Sequence, residues 1–247
     1  MKLIYRLILF LLIGSFTHHL SSQEDFIYEN QVWVGYLTSS RVSDRISIWN
    51  DAHFVPESFL IVRTGVTYHF NYSEKVKGSS TLGFARLWLY SQNDITPTRN
   101  EYRPWGQTTA SFNLNKFTIT NRFRYDARFR QEIEDNVLLD SYEFNWRLRY
   151  FLMAKYPLIV NDEKNTEWYA YSFNEILFDT GRNVTNGFRL NQNRFTVGIG
   201  YKFDNLRIQL GYLNMIKNPP VDGSKVWANT AMLMVFHNFD FRNNKKQ

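Results

Sequence analysis

The sequence predicts an all-β protein, a single antiparallel transmembrane β-barrel of about ten to twelve strands, and three observations carry that prediction. Segment after segment alternates apolar and polar residues with period two. The segments run longer than the strands of ordinary soluble sheets. Their apolar faces are rich in Phe, Tyr and Trp while their polar faces are crowded with arginine. The 247 residues are 44% hydrophobic and 17% aromatic, yet mean hydropathy is −0.41, so the apolar residues are interleaved with polar ones rather than gathered into runs. A chain of this length fits a single domain, as closed barrels commonly do.

Residues 1–22 read as an export signal peptide. Lys2 and Arg6 supply a positive start, Leu7 to Ile13 a short apolar core, and Ser21 and Ser22 precede a cleavage point near Gln23. The apolar stretch is shorter than the roughly 20 residues that a bilayer-spanning helix needs. Residues 23–247 are then an outer-membrane β-barrel domain, expected in the outer membrane of a Gram-negative bacterium. Cleavage removes two positive charges, taking the formal net charge from +6 to about +4. That balance suits anionic headgroups and is too weak to argue for nucleic acid. With no cysteine, disulfides and thiolate metal sites are excluded.

The alternation is clearest from Phe117 to Arg130. One face carries Phe117, Ile119, Phe123, Tyr125, Ala127 and Phe129, with Asn121, and the other Thr118, Thr120, Arg122, Arg124, Asp126, Arg128 and Arg130. The next segment sets Tyr142, Phe144, Trp146, Leu148, Tyr150 and Leu152 against Glu143, Asn145, Arg147 and Arg149. Later, Phe195, Val197, Ile199, Tyr201 and Phe203 alternate with Arg194, Thr196, Gly198, Gly200 and Lys202. Asp204 and Asn205 turn the chain into Leu206, Ile208, Leu210 and Tyr212. Apolar faces turned inward would leave a belt of arginines outside. Turned outward, they put aromatics at lipid interfaces and arginines in a wet lumen.

Eleven segments can be drawn, at 29–39, 43–55, 58–70, 80–91, 103–114, 116–130, 139–156, 166–179, 188–203, 205–216 and 225–241. Because single-chain bacterial barrels usually have even strand numbers, ten or twelve are expected. Connections at 114–116, 159–167 and 204–205 are expected on the periplasmic side, and those at 93–103, 131–138, 181–187 and 218–224 outside.

Several fragments together resemble a known family: Gln31-Val-Trp-Val-Gly-Tyr36, Val42-Ser-Asp44, Arg63-Thr-Gly-Val-Thr-Tyr-His-Phe70, Glu101-Tyr-Arg-Pro-Trp-Gly-Gln107, Arg147-Leu-Arg-Tyr150, Gln192-Asn-Arg194, Gly198-Ile-Gly-Tyr201 and Gly211-Tyr212. The chain is similar to an outer-membrane barrel family catalogued as domain of unknown function 2490. The resemblance spans nearly the whole mature chain and implies an exported barrel, and it brings no established activity or catalytic residues. Pro104 and Gly106 flank Trp105 where strand-forming residues are expected.

The chemical feature that stands out is a lumenal charged row. Arg122, Arg124, Arg128 and Arg130 face Arg147 and Arg149 on the next strand, with Asp126 and Glu143 interspersed and Arg194 further on. Two readings follow. Asp51, Glu175 and Asp240 on other strands complete an ion-pair network that fills the barrel, or the positive excess attracts small anions in a porin-like channel or binding site. His53, His69 and His237 are the available bases for a lipid-modifying enzyme, with Ser73 or Ser172 nearby, but no spacing supports a nucleophile motif. The chain is therefore expected not to be an enzyme and to use no cofactor or metal. Trp33, Trp88, Trp105, Trp146, Trp168 and Trp227 are expected in interfacial girdles. Expected partners are outer-membrane lipid, lipopolysaccharide, the outer-membrane assembly machinery and a small anionic ligand.

Overall fold

A computed structural model describes residues 26–90, 98–182, 184–218 and 224–242. The expected signal peptide lies outside the described residues, as does part of the connections around 93–103 and 218–224. The strands are β1 (Phe26–Arg41), β2 (Ile46–Val55), β3 (Phe59–Ser73), β4 (Val76–Leu89), β5 (Arg99–Leu114), β6 (Phe117–Glu134), β7 (Val137–Asn161), β8 (Thr166–Thr180), β9 (Phe188–Phe203), β10 (Leu206–Lys217) and β11 (Lys225–Asp240). Each strand pairs with its neighbours in sequence, and β1 closes on β11.

Every segment drawn from the alternation is a strand, but the even strand number is not what the chain adopts, and the sheet is not purely antiparallel. Up-and-down hairpins close antiparallel only with an even count, whereas here β1 and β11 run parallel, from Phe26 opposite Lys225 to Arg41 opposite Asp240. The chain accordingly enters the barrel at one end and leaves at the other. Turns at 42–45, 74–75, 115–116, 162–165 and 204–205 lie at the exit end, and the ends of β2, β4, β6, β8 and β10 and the starts of β3, β5, β7, β9 and β11 lie at the entry end. The strand ends flanking the two groups of connections drawn from the sequence thus fall at opposite ends of the barrel.

Turn chemistry explains the tight hairpins. Asp135 and Asn136 both hold positive φ, 47° and 62°, the pair of left-handed residues that a two-residue hairpin requires. Asp204 does the same at 47°, ahead of Asn205. β5 runs unbroken through Pro104, which stays in register opposite Phe84 on β4. Its missing N–H falls on the β6 side, where the ladder skips Arg103 and Pro104 without changing register. The β9 ladder does change register, between Leu177 and Phe178 of β8. This bulge switches the inward parity from Arg189 and Asn191 to Arg194 and Thr196, so both halves of β9 deliver polar groups inside.

The apolar faces point out along every strand. Phe123 is 50% exposed and Trp146 41%, with Val66, Leu82, Leu152, Ile199, Leu210 and Tyr212 equally uncovered. The interior divides into two levels. Towards the entry end lies a layer of charged side chains. Towards the exit end, Tyr169, Tyr171, Met232 and Met234 pack with Leu37 on one wall, while Thr67, Thr81, Ser79 and Thr109 link their hydroxyls on the other. The glycines of β9 make room for the tyrosines: a Cβ on Gly198 would lie 2.6 Å from Tyr171 Cζ, and one on Gly200 would lie 2.2 Å from Tyr169 Cζ.

Candidate functional site

The charged level is built from seven strands, each contributing alternate side chains to one cross-section. On β5, Glu101 is fully buried and accepts hydrogen bonds from Arg103 Nε at 2.6 Å and from Arg128 Nε and NH2 of β6 at 2.5 and 3.2 Å, with Arg130 at 3.6 Å. Asp126, also fully buried, accepts from Arg124 Nε at 3.1 Å and from Arg149 Nε of β7 at 2.7 Å. Asp179 on β8 receives a two-pronged contact from Arg147, 2.7 and 3.1 Å, and lies 3.4 Å from Arg128. Arg147 also donates to Asn191 Oδ1 at 2.9 Å. Glu175 bridges Arg122 at 2.9 Å and Arg194 at 3.1 Å, and on the opposite wall Asp51 takes Arg63 Nε at 2.6 Å and Trp49 Nε1 at 2.5 Å.

Seven of the eight residues expected in the lumenal network therefore meet in it: Arg122, Arg124, Asp126, Arg128, Arg147, Arg149 and Arg194. Glu143 sits opposite Arg130 towards the entry end, at the margin. Of the carboxylates expected to complete the network, Asp51 and Glu175 do so. Asp240 does not, because it lies at the exit end of β11, exposed, where it pairs with Arg242 at 2.6 Å. Arg242 bonds Asp44 as well at 2.9 Å, and these two carboxylates hold its guanidinium above its ordinary value.

Sequence reasoning missed Glu101, Arg103 and Asp179. Glu101 and Arg103 precede Pro104, whose presence pushed the expected start of that strand to residue 103, and Asp179 sat at the last position of its segment. The available signal was spacing: Glu101, Arg103 and Trp105 share one face across the proline. Two expected girdle tryptophans are also inside. Trp105 is 2% exposed and stacks under Arg124, 4.2 Å from the ring centroid, and Trp33 lies beneath Arg194 at 5.1 Å. Trp146 and Trp168 face outward as expected.

Ten guanidiniums share five carboxylates through these ion pairs, counting Arg189 beside Asp179. The side chains of Arg103, Arg124, Arg128, Arg147 and Arg149 retain only 5 to 7% of their accessible surface. At that level, then, side chains fill the cross-section. Charges withdrawn from water this far persist only when paired and hydrogen-bonded, which the distances above provide.

The three histidines that are candidate bases sit in different surroundings. His69 Nε2 lies 2.8 Å from Ser47 Oγ, a serine–histidine pair, but the charged neighbour of that imidazole is Arg41, a cation that cannot orient it as a base. His53 is buried against Trp33, and His237 faces outward between Tyr36 and Asn205. Neither Ser73 nor Ser172 forms a hydrogen bond with any of these rings. Among the described residues there is no group of three or more His, Asp or Glu placed to hold a metal ion.

A family model described as a protein of unknown function, DUF2490, matches residues 30–224, from β1 through β10. The chain belongs to the DUF2490 family. No curated protein matches the sequence. In this member of the family, the matched region carries every residue of the charged layer.

Proposed function

We propose that this DUF2490 protein is an outer-membrane barrel whose lumen is closed in its entry half by its arginine–carboxylate layer, serving as a structural or small-ligand-binding element rather than a conduit. The observation that carries this reading is the pairing of two exposures. Large aromatic and aliphatic side chains are uncovered all around the outside, while guanidiniums are nearly inaccessible within. An apolar outer band favours hydrocarbon over water by roughly 25 cal/mol per Å². Outward Arg86, 4.8 Å from the Trp88 ring and 3.1 Å from Asn100 Oδ1, and outward Arg45, 3.2 Å from Tyr68 OH, sit towards opposite rims. Both suit contact with lipid headgroups or lipopolysaccharide phosphates. Folding into such a membrane requires the cell's outer-membrane assembly machinery, the expected protein partner.

Planar-bilayer recording tests this reading. The purified barrel is expected to give no steady conductance. A second reading, a narrow anion-preferring pore, is favoured by the surplus of guanidiniums over carboxylates, and a steady current with anion-selective reversal would establish it in place of the first.

A further inference from the structure

Within the charged layer, the region facing β1, β2 and β3 is short of acceptors. Arg63, Arg122, Arg124, Arg149 and Arg194 lie within electrostatic reach of one another around Asp51, Asp126 and Glu175, five guanidiniums for three carboxylates. Buried N–H groups there also lack hydrogen-bond partners: Trp105 Nε1, Arg122 Nε, His53 Nε2, which stays 3.5 Å from Asp51 Oδ1, and an Arg124 terminal nitrogen that lies 3.0 Å from Asp126 without pointing at it. His53 Nδ1 accepts the Trp33 indole proton at 3.1 Å, so the neutral ring carries its own proton on the unpartnered Nε2. His53 faces Asp51 and Arg63 and, across the lumen, Arg124 and Arg194. Every one of these orphaned atoms is a donor. A buried cation surplus with unmet donors costs several kcal/mol per group unless something anionic meets it. Water could accept these hydrogen bonds but would neutralise no charge.

The geometry points to a binding site for a small divalent oxyanion of the phosphate type at the centre of the barrel, held by Arg63, Arg122, Arg124 and Arg194 with His53 and Trp105 as neutral donors. A tetrahedral dianion matches the surplus of two charges and offers acceptors in several directions at once, whereas a monocarboxylate would leave one guanidinium unpaired. Access is from the exit end. Arg122, Arg194 and Arg63 keep 24%, 13% and 12% of their side-chain surface, and the tightly buried Arg128 and Arg147, at 5% and 7%, separate them from Arg130 and Arg189 at the entry end, which keep 23% and 19%. The wall leading to them carries the half-buried hydroxyls of Ser79, Thr109, Ser111 and Thr120. This inference rests on the closed-lumen reading, since a barrel filled towards one end presents the site to one compartment only.

The test uses the full mature barrel in phosphate-free detergent, titrated with inorganic phosphate and followed by calorimetry and by fluorescence of the lumenal tryptophans. One phosphate per barrel is expected to bind saturably, with sulfate competing and chloride at the same concentration not. Arg122→Gln is expected to weaken binding by roughly tenfold or more. Should that variant fail to fold, Arg122→Lys keeps the charge but lacks the Nε donor and is expected to bind several-fold more weakly. A wild-type barrel that shows no saturable binding up to millimolar phosphate overturns the site and leaves water as the occupant. Equal affinity in the variant overturns it as well. Phosphatidylglycerol micelles replace phosphate in a parallel titration, and binding of that lipid alone would assign the charge to a headgroup and overturn a lumenal site. Conductance of the same preparation keeps the two ideas separable. Current together with phosphate binding rejects only the closed lumen, and a silent barrel without binding rejects only the anion site.

Discussion

Replacing Glu101 with Gln probes the charged layer at the carboxylate that gathers the most guanidiniums. Both Nε donors, from Arg103 and Arg128, converge on Oε1, while Arg128 NH2 reaches Oε2 at 3.2 Å and Arg130 lies 3.6 Å away. Gln keeps the shape and one acceptor. Its amide nitrogen would face the remaining guanidinium donors, so one charge-assisted bond, worth about 1.5–3 kcal/mol, is lost and the other two weaken. Three arginines would also lose their nearest countercharge in a site with no exposure, which brings the expected loss to about 3–5 kcal/mol. Glu167→Gln serves as a control, because the Lys155–Glu167 pair at 2.9 Å retains 25% and 17% of its side-chain surface and should cost under about 1 kcal/mol. Urea unfolding in detergent, read by tryptophan fluorescence and by the gel shift between folded and unfolded barrel, measures both. Equal, small losses for the two variants would refute the reasoning, because they would mean that the interior guanidiniums are hydrated in an open lumen. In the double variant Glu101→Gln with Arg128→Met, part of the loss should return, since the cation left unpaired is removed with it.

Other outcomes follow from the same contacts. Gly200→Ala should destabilise by about 1–3 kcal/mol by displacing the Tyr169 ring, and should release the 3.2 Å hydrogen bond from Gln209 to its hydroxyl, visible as changed near-ultraviolet dichroism. Deleting Asn191 should remove the β9 bulge and leave a regular ladder with Arg189, Gln192 and Arg194 all still facing inward, so the barrel should refold and, like Asn191→Ala, lose mainly the Arg147 contact, about 1–2 kcal/mol by urea unfolding. Ser47→Ala and His69→Ala should leave any lipid hydrolysis by the purified preparation unchanged, because that pair lacks an acidic orienting group.

The alternation made the strands legible because a strand with one face against side chains and the other uncovered must repeat with period two, as Phe123, Tyr125 and Phe129 against Arg122, Arg124 and Arg128 do. The direction of the faces on β6, β7, β9 and β10 could be read for the same reason. Strand parity could not. Nothing in the local pattern of β1 or β11 says whether their pairing is parallel, since both alternate alike and the closing register depends on the whole cylinder. The arginine rows were visible on β6 and β7, but their partners are spread over strands distant in sequence. Arg128 meets Asp179 from 51 residues away, and Glu101 was hidden behind a proline that reads as a break. Trp33 and Trp105 were assigned to the outside by residue type alone, although their spacing from Gly35 and Arg103 places them within.

The sidedness of the barrel in lipid is the property on which the rest depends. Single-tryptophan variants carrying only Trp146 or only Trp105, reconstituted in bilayers with brominated acyl chains, test it directly. Strong quenching of Trp146 with Trp105 protected is the expected result. A mature protein that stays monomeric and folded without detergent, with Trp146 unquenched, would contradict it.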